Sequence, residues 1–198
     1  MRKKESLVFL LIGMILFYIS TFFDKPVSLM FNNIKIPFLD FILSIITNFG
    51  VVVMVIFVIP AITFYNNDKK IIKLLFLAFI ISFIFSFILK LVILRQRPAD
   101  ILYYPLLNII DYSFPSMHAM IAFSLLPILL TYLPKQKTFW ASFAFLVAFS
   151  RIYFDFHYLS DVVFGAVVGY FIGNFLLEFH NKNKLLKNAK QKNWGKKF

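Results

Sequence analysis

The chain has no cysteine, six glycines and nine acidic residues in 198 positions. Without cysteine it can form neither a disulfide nor a thiolate site, and its redox compartment is left unmarked. Charged residues make up 15% of the chain, against 61% hydrophobic and 20% aromatic. A soluble domain of this size cannot bury that much apolar surface, and the mean hydropathy of +0.81 places the chain among polytopic membrane proteins. A spanning helix takes about 20 apolar residues, so the length suits one helical bundle. The expectation is a single membrane-integral domain over residues 1–198, with a basic tail at about 180–198.

The hydrophobic pattern predicts an all-α fold, a six-transmembrane-helix bundle. The spans are drawn at about Leu7 to Phe23, Phe49 to Tyr65, Ile71 to Leu94, Met117 to Tyr132, Phe139 to Arg151 and Tyr158 to Phe179. The first is read as an uncleaved helix, because its apolar run is long for a signal core and no small-x-small site follows. From Ile36 to Ile46, apolar residues alternate with Asp40 and Ser44 at helical spacing, which predicts an interfacial helix between spans one and two. In span six, Gly165, Gly169 and Gly173 form two overlapping GxxxG steps that favour close helix packing within the bundle.

Acidic residues are scarce, so the 21 lysines and arginines set the orientation. Fifteen of them fall on one set of helix ends: the N-terminus, Lys69, Lys70, Lys73, Lys135, Lys137 and the tail. The positive-inside rule then puts both termini in the cytoplasm. Beside a spanning helix, the tail lysines suit topology and anionic lipid heads rather than nucleic acid.

The polar residues that remain inside the apolar chain form three clusters: Lys90 with Arg97-Pro98, Pro115-Ser116-Met117-His118, and Ser150-Arg151 followed by His157 and Asp161. A charge in mid-membrane costs roughly 2.5 to 3.5 kcal/mol on insertion scales, so such residues usually mark a working site. Alternation of six spans brings all three clusters to one face, the non-cytoplasmic one. Lys90, Arg97 and Arg151 would there gather three positive charges. That concentration suits a multiply charged anion, and phosphate matches the guanidinium fork. Each cation alone could be a snorkelling helix-end residue. Ser116 can cap span four, and its hydroxyl and neighbouring N–H groups can meet an anion.

His157 and Asp161 are four apart, so they share one face if span six begins early enough, and the carboxylate can orient the imidazole. A helix-capping pair is the plainer reading of that spacing. His118, His157 and Asp161 also resemble a two-histidine, one-carboxylate metal set, but three neighbouring cations repel a divalent ion. His180 falls with the cytoplasmic tail.

In order and spacing, the three clusters resemble the signature of the type-2 phosphatidic acid phosphatase family, which also holds bacterial acid phosphatases and vanadium haloperoxidases. The resemblance implies a metal-independent, cofactor-free hydrolase. In it His157 attacks phosphorus to form a phosphohistidine, Asp161 orients His157 and His118 protonates the leaving oxygen. Lys90, Arg97, Ser116 and Arg151 bind the phosphoryl oxygens. It further implies a lipid phosphate substrate: phosphatidate, phosphatidylglycerophosphate or polyprenyl diphosphate. Met117 departs from the pattern, standing where glycine is usual. Two other readings stay open: a phosphotransferase built on the same site, and a non-enzymatic transporter with a proton relay, which the apolar helix interiors disfavour. A vanadate peroxidase is disfavoured too, since the chain offers no large soluble scaffold.

Overall fold

The computed structural model describes residues 3–34, 36–66, 68–98, 103–104, 109–110 and 112–194. Arg2, Lys35, Lys196 and Lys197 of the charge count lie outside the described residues. Among the described residues nine α-helices follow one another: α1 (Lys3–Thr21), α2 (Asp24–Asn33), α3 (Pro37–Thr47), α4 (Phe49–Val53), α5 (Ile59–Tyr65), α6 (Lys69–Ile93), α7 (Met117–Tyr132), α8 (Lys137–Tyr153) and α9 (Leu159–Trp194). Between α6 and α7 lies a two-residue antiparallel pair, β1 (Tyr103–Tyr104) with β2 (Ile109–Ile110), in register Tyr103 to Ile110.

Local chemistry sets the helix limits. Asp68 caps α6 by accepting from the Lys70 N–H at 3.0 Å, and Leu94 ends it in the left-handed region at φ 54°. Asn48 caps α4, its side-chain oxygen accepting from the N–H groups of Gly50 at 2.9 Å and Val51 at 3.3 Å. A π-helical turn at Met54–Val58 joins α4 to α5. Pro60, just beyond, lacks an N–H and its ring crowds the carbonyl four residues back, so the widened turn accommodates it.

α7 is the centre of the bundle, with most residues from Ala119 to Leu129 buried. It packs most closely on α9, and the glycines make that approach possible. A Cβ on Gly165 would lie 2.7 Å from the Ser116 carbonyl oxygen, one on Gly169 2.2 Å from that of Met120, and one on Gly173 1.9 Å from that of Ser124. The glycine stripe therefore serves packing inside one chain. α1 joins α9 in the same way: a Cβ on Gly13 would lie 2.3 Å from Val167.

The outward faces are apolar. Phe76, Ile84, Ile88 and Val92 on α6, and Val8, Leu11, Ile15 and Tyr18 on α1, are exposed. Surface of that kind needs lipid. Two helices, Lys69–Ile93 and Leu159–Asn183, are long and apolar enough to cross a membrane. Two bent pairs, Val8–Thr21 with Asp24–Asn33 and Pro37–Thr47 with Phe49–Tyr65, each turn by 61° and raise the number to four if each is one span. α7, at 16 residues, is a shorter apolar helix. The fold is thus a helical membrane bundle, with one two-residue strand pair and two to four such spans among the described residues. α3 stands apart from α4 by the bend at Asn48, and α2 is a further short helix that the periodicity did not mark off. α9 continues through the basic stretch to Trp194.

Candidate active site

The last turn of α6 and the loop after it supply the first cluster. Lys90 is buried and its Nζ donates to the Tyr112 carbonyl, while the Ser113 N–H donates to the Arg95 carbonyl at 2.7 Å. These two bonds tie the end of α6 and Arg95 to Tyr112 and Ser113. Arg97, also buried, places Nη1 on the Phe156 carbonyl and 3.4 Å from His157 Nε2.

The second cluster opens α7. Ser116 is its N-cap residue, and the Ser116 N–H donates not to its own helix but to the Asp161 carbonyl at 3.1 Å. Its hydroxyl is buried and, among the described residues, has no hydrogen-bond partner; the same is true of His118 Nε2. The His118 ring meets Phe49 edge-on at 5.2 Å between centroids and hydrogen-bonds to the Thr47 backbone. Met117 is half-buried and packs against the main hydrophobic core.

The third cluster comes from the end of α8, the loop 154–158 and the start of α9. Arg151 donates from Nη1 to Thr47 Oγ1 at 2.6 Å, and its guanidinium lies 4.6 Å from the Phe156 ring centroid. Asp155 takes a left-handed φ of 58°, a conformation that aspartate tolerates better than most residues, and the chain turns there. The His157 N–H then donates to the Arg151 carbonyl at 3.2 Å. α9 begins only at Leu159, so the condition for a shared helical face is not met: His157 is on the loop.

His157 and Asp161 nevertheless meet, at 3.8 Å between Nδ1 and Oδ2. That is too long for a hydrogen bond. Ser113 stands beside both, its Oγ 3.5 Å from His157 Nδ1 and hydrogen-bonded to Asp161 Oδ2. Burial, and after it the charges of Arg97, Arg151 and Lys90, push the His157 imidazole well below the usual histidine range. The ring is therefore neutral near pH 7. Its two nitrogens face opposite chemistry, Nδ1 toward Ser113 and Asp161, Nε2 toward Arg97.

All seven residues singled out from the sequence thus converge. The same three cations act electrostatically on His118 and on His157, so the charge is concentrated at one place. Such a place attracts an anion with several oxygens.

Four participants were not identified from the sequence. Ser113 lies within a loop where serine carries no signal. Thr47 ends α3, far from any cluster. Arg95 lies between Lys90 and Arg97 but outside the three clusters, yet its Nη1 lies 2.6 Å from Asp161 Oδ1. Asp24, at the start of α2, is buried and pairs with Arg95 Nη2 at 2.7 Å. A carboxylate directly after a long apolar run was the available clue, because it must find a partner.

Comparison with known proteins agrees with this geometry. Residues 71–185 match the PAP2 superfamily, a stretch that contains all three clusters. Among solved structures, a transmembrane PAP2-type phosphatidylglycerolphosphate phosphatase from Bacillus subtilis superposes with a TM-score of 0.71 at 24% identity, over 89% of this chain and 96% of that one. LpxE from Aquifex aeolicus superposes with a TM-score of 0.63 at 25% identity, over 78% and 94%. Comparison with curated protein sequences gives no match. With the family match covering more than half of the chain and every clustered side chain, this protein belongs to the PAP2 superfamily and is a membrane phosphatase.

Proposed function

We propose that the protein hydrolyses the phosphomonoester or diphosphate of a membrane lipid through a phosphohistidine on His157. The observation that carries this reading is the split environment of that ring. Ser113 and Asp161 on the Nδ1 side suit the tautomer with its proton on Nδ1. The lone pair of Nε2 is then free to attack on the side where Arg97 stands at 3.4 Å.

In the first step the Nε2–phosphorus bond forms and the bond to the leaving oxygen breaks, that oxygen taking a proton from His118, which is charged once the bound phosphoryl anion offsets the cations around its ring. In the second, water attacks phosphorus, gives its proton back to His118, and the phosphorus–nitrogen bond breaks to release phosphate. Lys90, Arg97 and Arg151, with the Ser116 hydroxyl, hold the phosphoryl oxygens as charge builds. Neither step calls for a metal ion.

The exposed apolar faces of α1 and α6 suit a substrate anchored by acyl or prenyl tails. Phosphatidylglycerophosphate, phosphatidate and polyprenyl diphosphate are the candidates, the first of them the substrate class of the Bacillus subtilis relative. In the membrane we place six spans, counting the two bent pairs, α6, α7, α8 and α9. Both termini face the cytoplasm, and the site opens on the opposite side.

Purified protein assayed for phosphate release against those three lipids tests the reading. His157→Ala should abolish release while leaving the protein folded, and labelled phosphate should be trapped on His157 in the wild type. Full activity in that variant would sink the nucleophile. Transfer of label to a second lipid instead of water would identify a phosphotransferase.

A further inference from the structure

Asp161 has no exposed surface, and both its oxygens are engaged. Oδ2 accepts from the Ser113 hydroxyl and from the Tyr158 N–H at 2.9 Å. Oδ1 lies 2.6 Å from Arg95 Nη1. Arg95 is itself held from the far side. Its Nη2 donates to Asp24 Oδ2 at 2.7 Å, its Nη1 also reaches Ser160 Oγ at 2.8 Å, and its guanidinium lies 4.2 Å from the Tyr158 ring centroid. Asp24 in turn accepts from the Ser160 N–H at 2.8 Å and the Ser160 hydroxyl at 2.7 Å. One guanidinium fork thus joins a carboxylate from the bend between α1 and α2 to the carboxylate beside the reacting histidine.

Electrostatics gives this fork a purpose. A buried carboxylate near Lys90, Arg97 and Arg151 would be drawn into the space where a phosphoryl group must bind, and would neutralise the charges meant for it. A cation on the other side of Asp161 opposes that pull. Arginine suits the task because its planar fork holds two carboxylates at fixed angles, which a lysine point charge cannot do.

We propose that Arg95, braced by Asp24, is a positioning residue that keeps Asp161 on the Nδ1 side of His157 and out of the phosphate site. The first helical arm of the chain is thereby part of the catalytic apparatus, although it lies outside the three motifs. This inference rests on the assignment of His157 as nucleophile.

A double-mutant cycle tests it in the full-length enzyme. Displacement of a positioning group by about 1 Å can lower turnover about 100-fold, so Arg95→Gln should reduce kcat by about 10- to 100-fold. Its inhibition by inorganic phosphate should weaken as well, by about threefold or more, because Asp161 then competes with the anion for Lys90, Arg97 and Arg151. Arg95→Lys should recover part of the loss, and Asp24→Asn should show a smaller one. In an Asp161→Asn background, Arg95→Gln should add nothing, because the two residues act as one unit. Unchanged kcat, additive losses in the double variant, or phosphate inhibition that stays at the wild-type level while kcat falls would each overturn the proposal. Nitrogen-15 NMR of labelled histidine supplies a readout that needs no turnover. Arg95→Gln should shift the Nδ1 resonance of His157, and should not do so in the Asp161→Asn background. A wild-type protein inactive on every lipid phosphate would defeat the phosphatase reading, and the NMR cycle would still decide this one.

Discussion

The Ser116 N–H donates to the Asp161 carbonyl at 3.1 Å, so the start of α7 and the first turn of α9 are joined by a main-chain bond at the centre of the site. That bond exists only because the helices nearly touch. One turn below, a Cβ on Gly165 would press on the Ser116 carbonyl oxygen at 2.7 Å and on the Met120 nitrogen at 3.3 Å. Packing and chemistry therefore depend on the same glycine stripe.

Replacing those glycines should separate the two effects by position. Alanine is the better helix former by about 1 kcal/mol, but overpacking of a close interface costs about 1 to 3 kcal/mol. At Gly169 the added carbon would meet the Met120 carbonyl carbon and Cα at 3.0 Å and its oxygen at 2.2 Å, and backbone cannot swing aside. Gly169→Ala should lower the thermal midpoint in detergent. Gly165→Ala should lose activity out of proportion to stability, since it moves Ser116. Equal midpoints for wild type and both variants would show that the helices can part at no cost.

Much of the site was legible because it is chemically out of place. Lys90, His118 and Arg151 stand out in a chain so poor in charge, and Ser116 ahead of an apolar run marked the start of α7, which the structure places at Met117. The limits of α7 at Tyr132 and of the second bent helix at Tyr65 were equally readable, each followed by polar or proline-containing sequence. What could not be read depends on turns that hydropathy does not encode. Phe22 and Phe23 continue the apolar run of α1 without a break, yet the chain bends there by 61°. Arg95 and Asp24 lie 71 positions apart, and only the folded chain shows that they are partners. His157 stands on the loop and not on the helix because Asp155 turns the backbone just before it.

Ser116 offers a second test, since its buried hydroxyl has no partner among the described residues. Removing a hydroxyl that bonds to nothing leaves no orphaned partner behind, so Ser116→Ala should be neutral or slightly stabilising. If the hydroxyl waits for a phosphoryl oxygen, the same change should weaken inhibition by vanadate about 10-fold, the value of one hydrogen bond to a charged group. Thermal midpoint and vanadate titration measure the two quantities side by side. A less stable variant with unaltered vanadate binding would make Ser116 a structural cap and nothing more.

The pH dependence of stability reports on His157 directly. Its folded-state pKa lies well below the ordinary value near 6.5, with burial the first cause and the cations Arg97, Arg151 and Lys90 next. Unfolding restores the ordinary value of about 6.5, so below that pH the unfolded chain binds a proton that the folded chain refuses. Stability is then complete above about pH 6.5 and declines as pH falls toward the depressed folded value, by as much as about 1.4 kcal/mol per pH unit. Chemical denaturation of the wild type between pH 7.5 and 5 should show this decline. His157→Gln, which cannot titrate, should decline less over the same interval. Parallel curves would mean that the imidazole takes up its proton equally in both states, and that the cations around it do not hold it neutral.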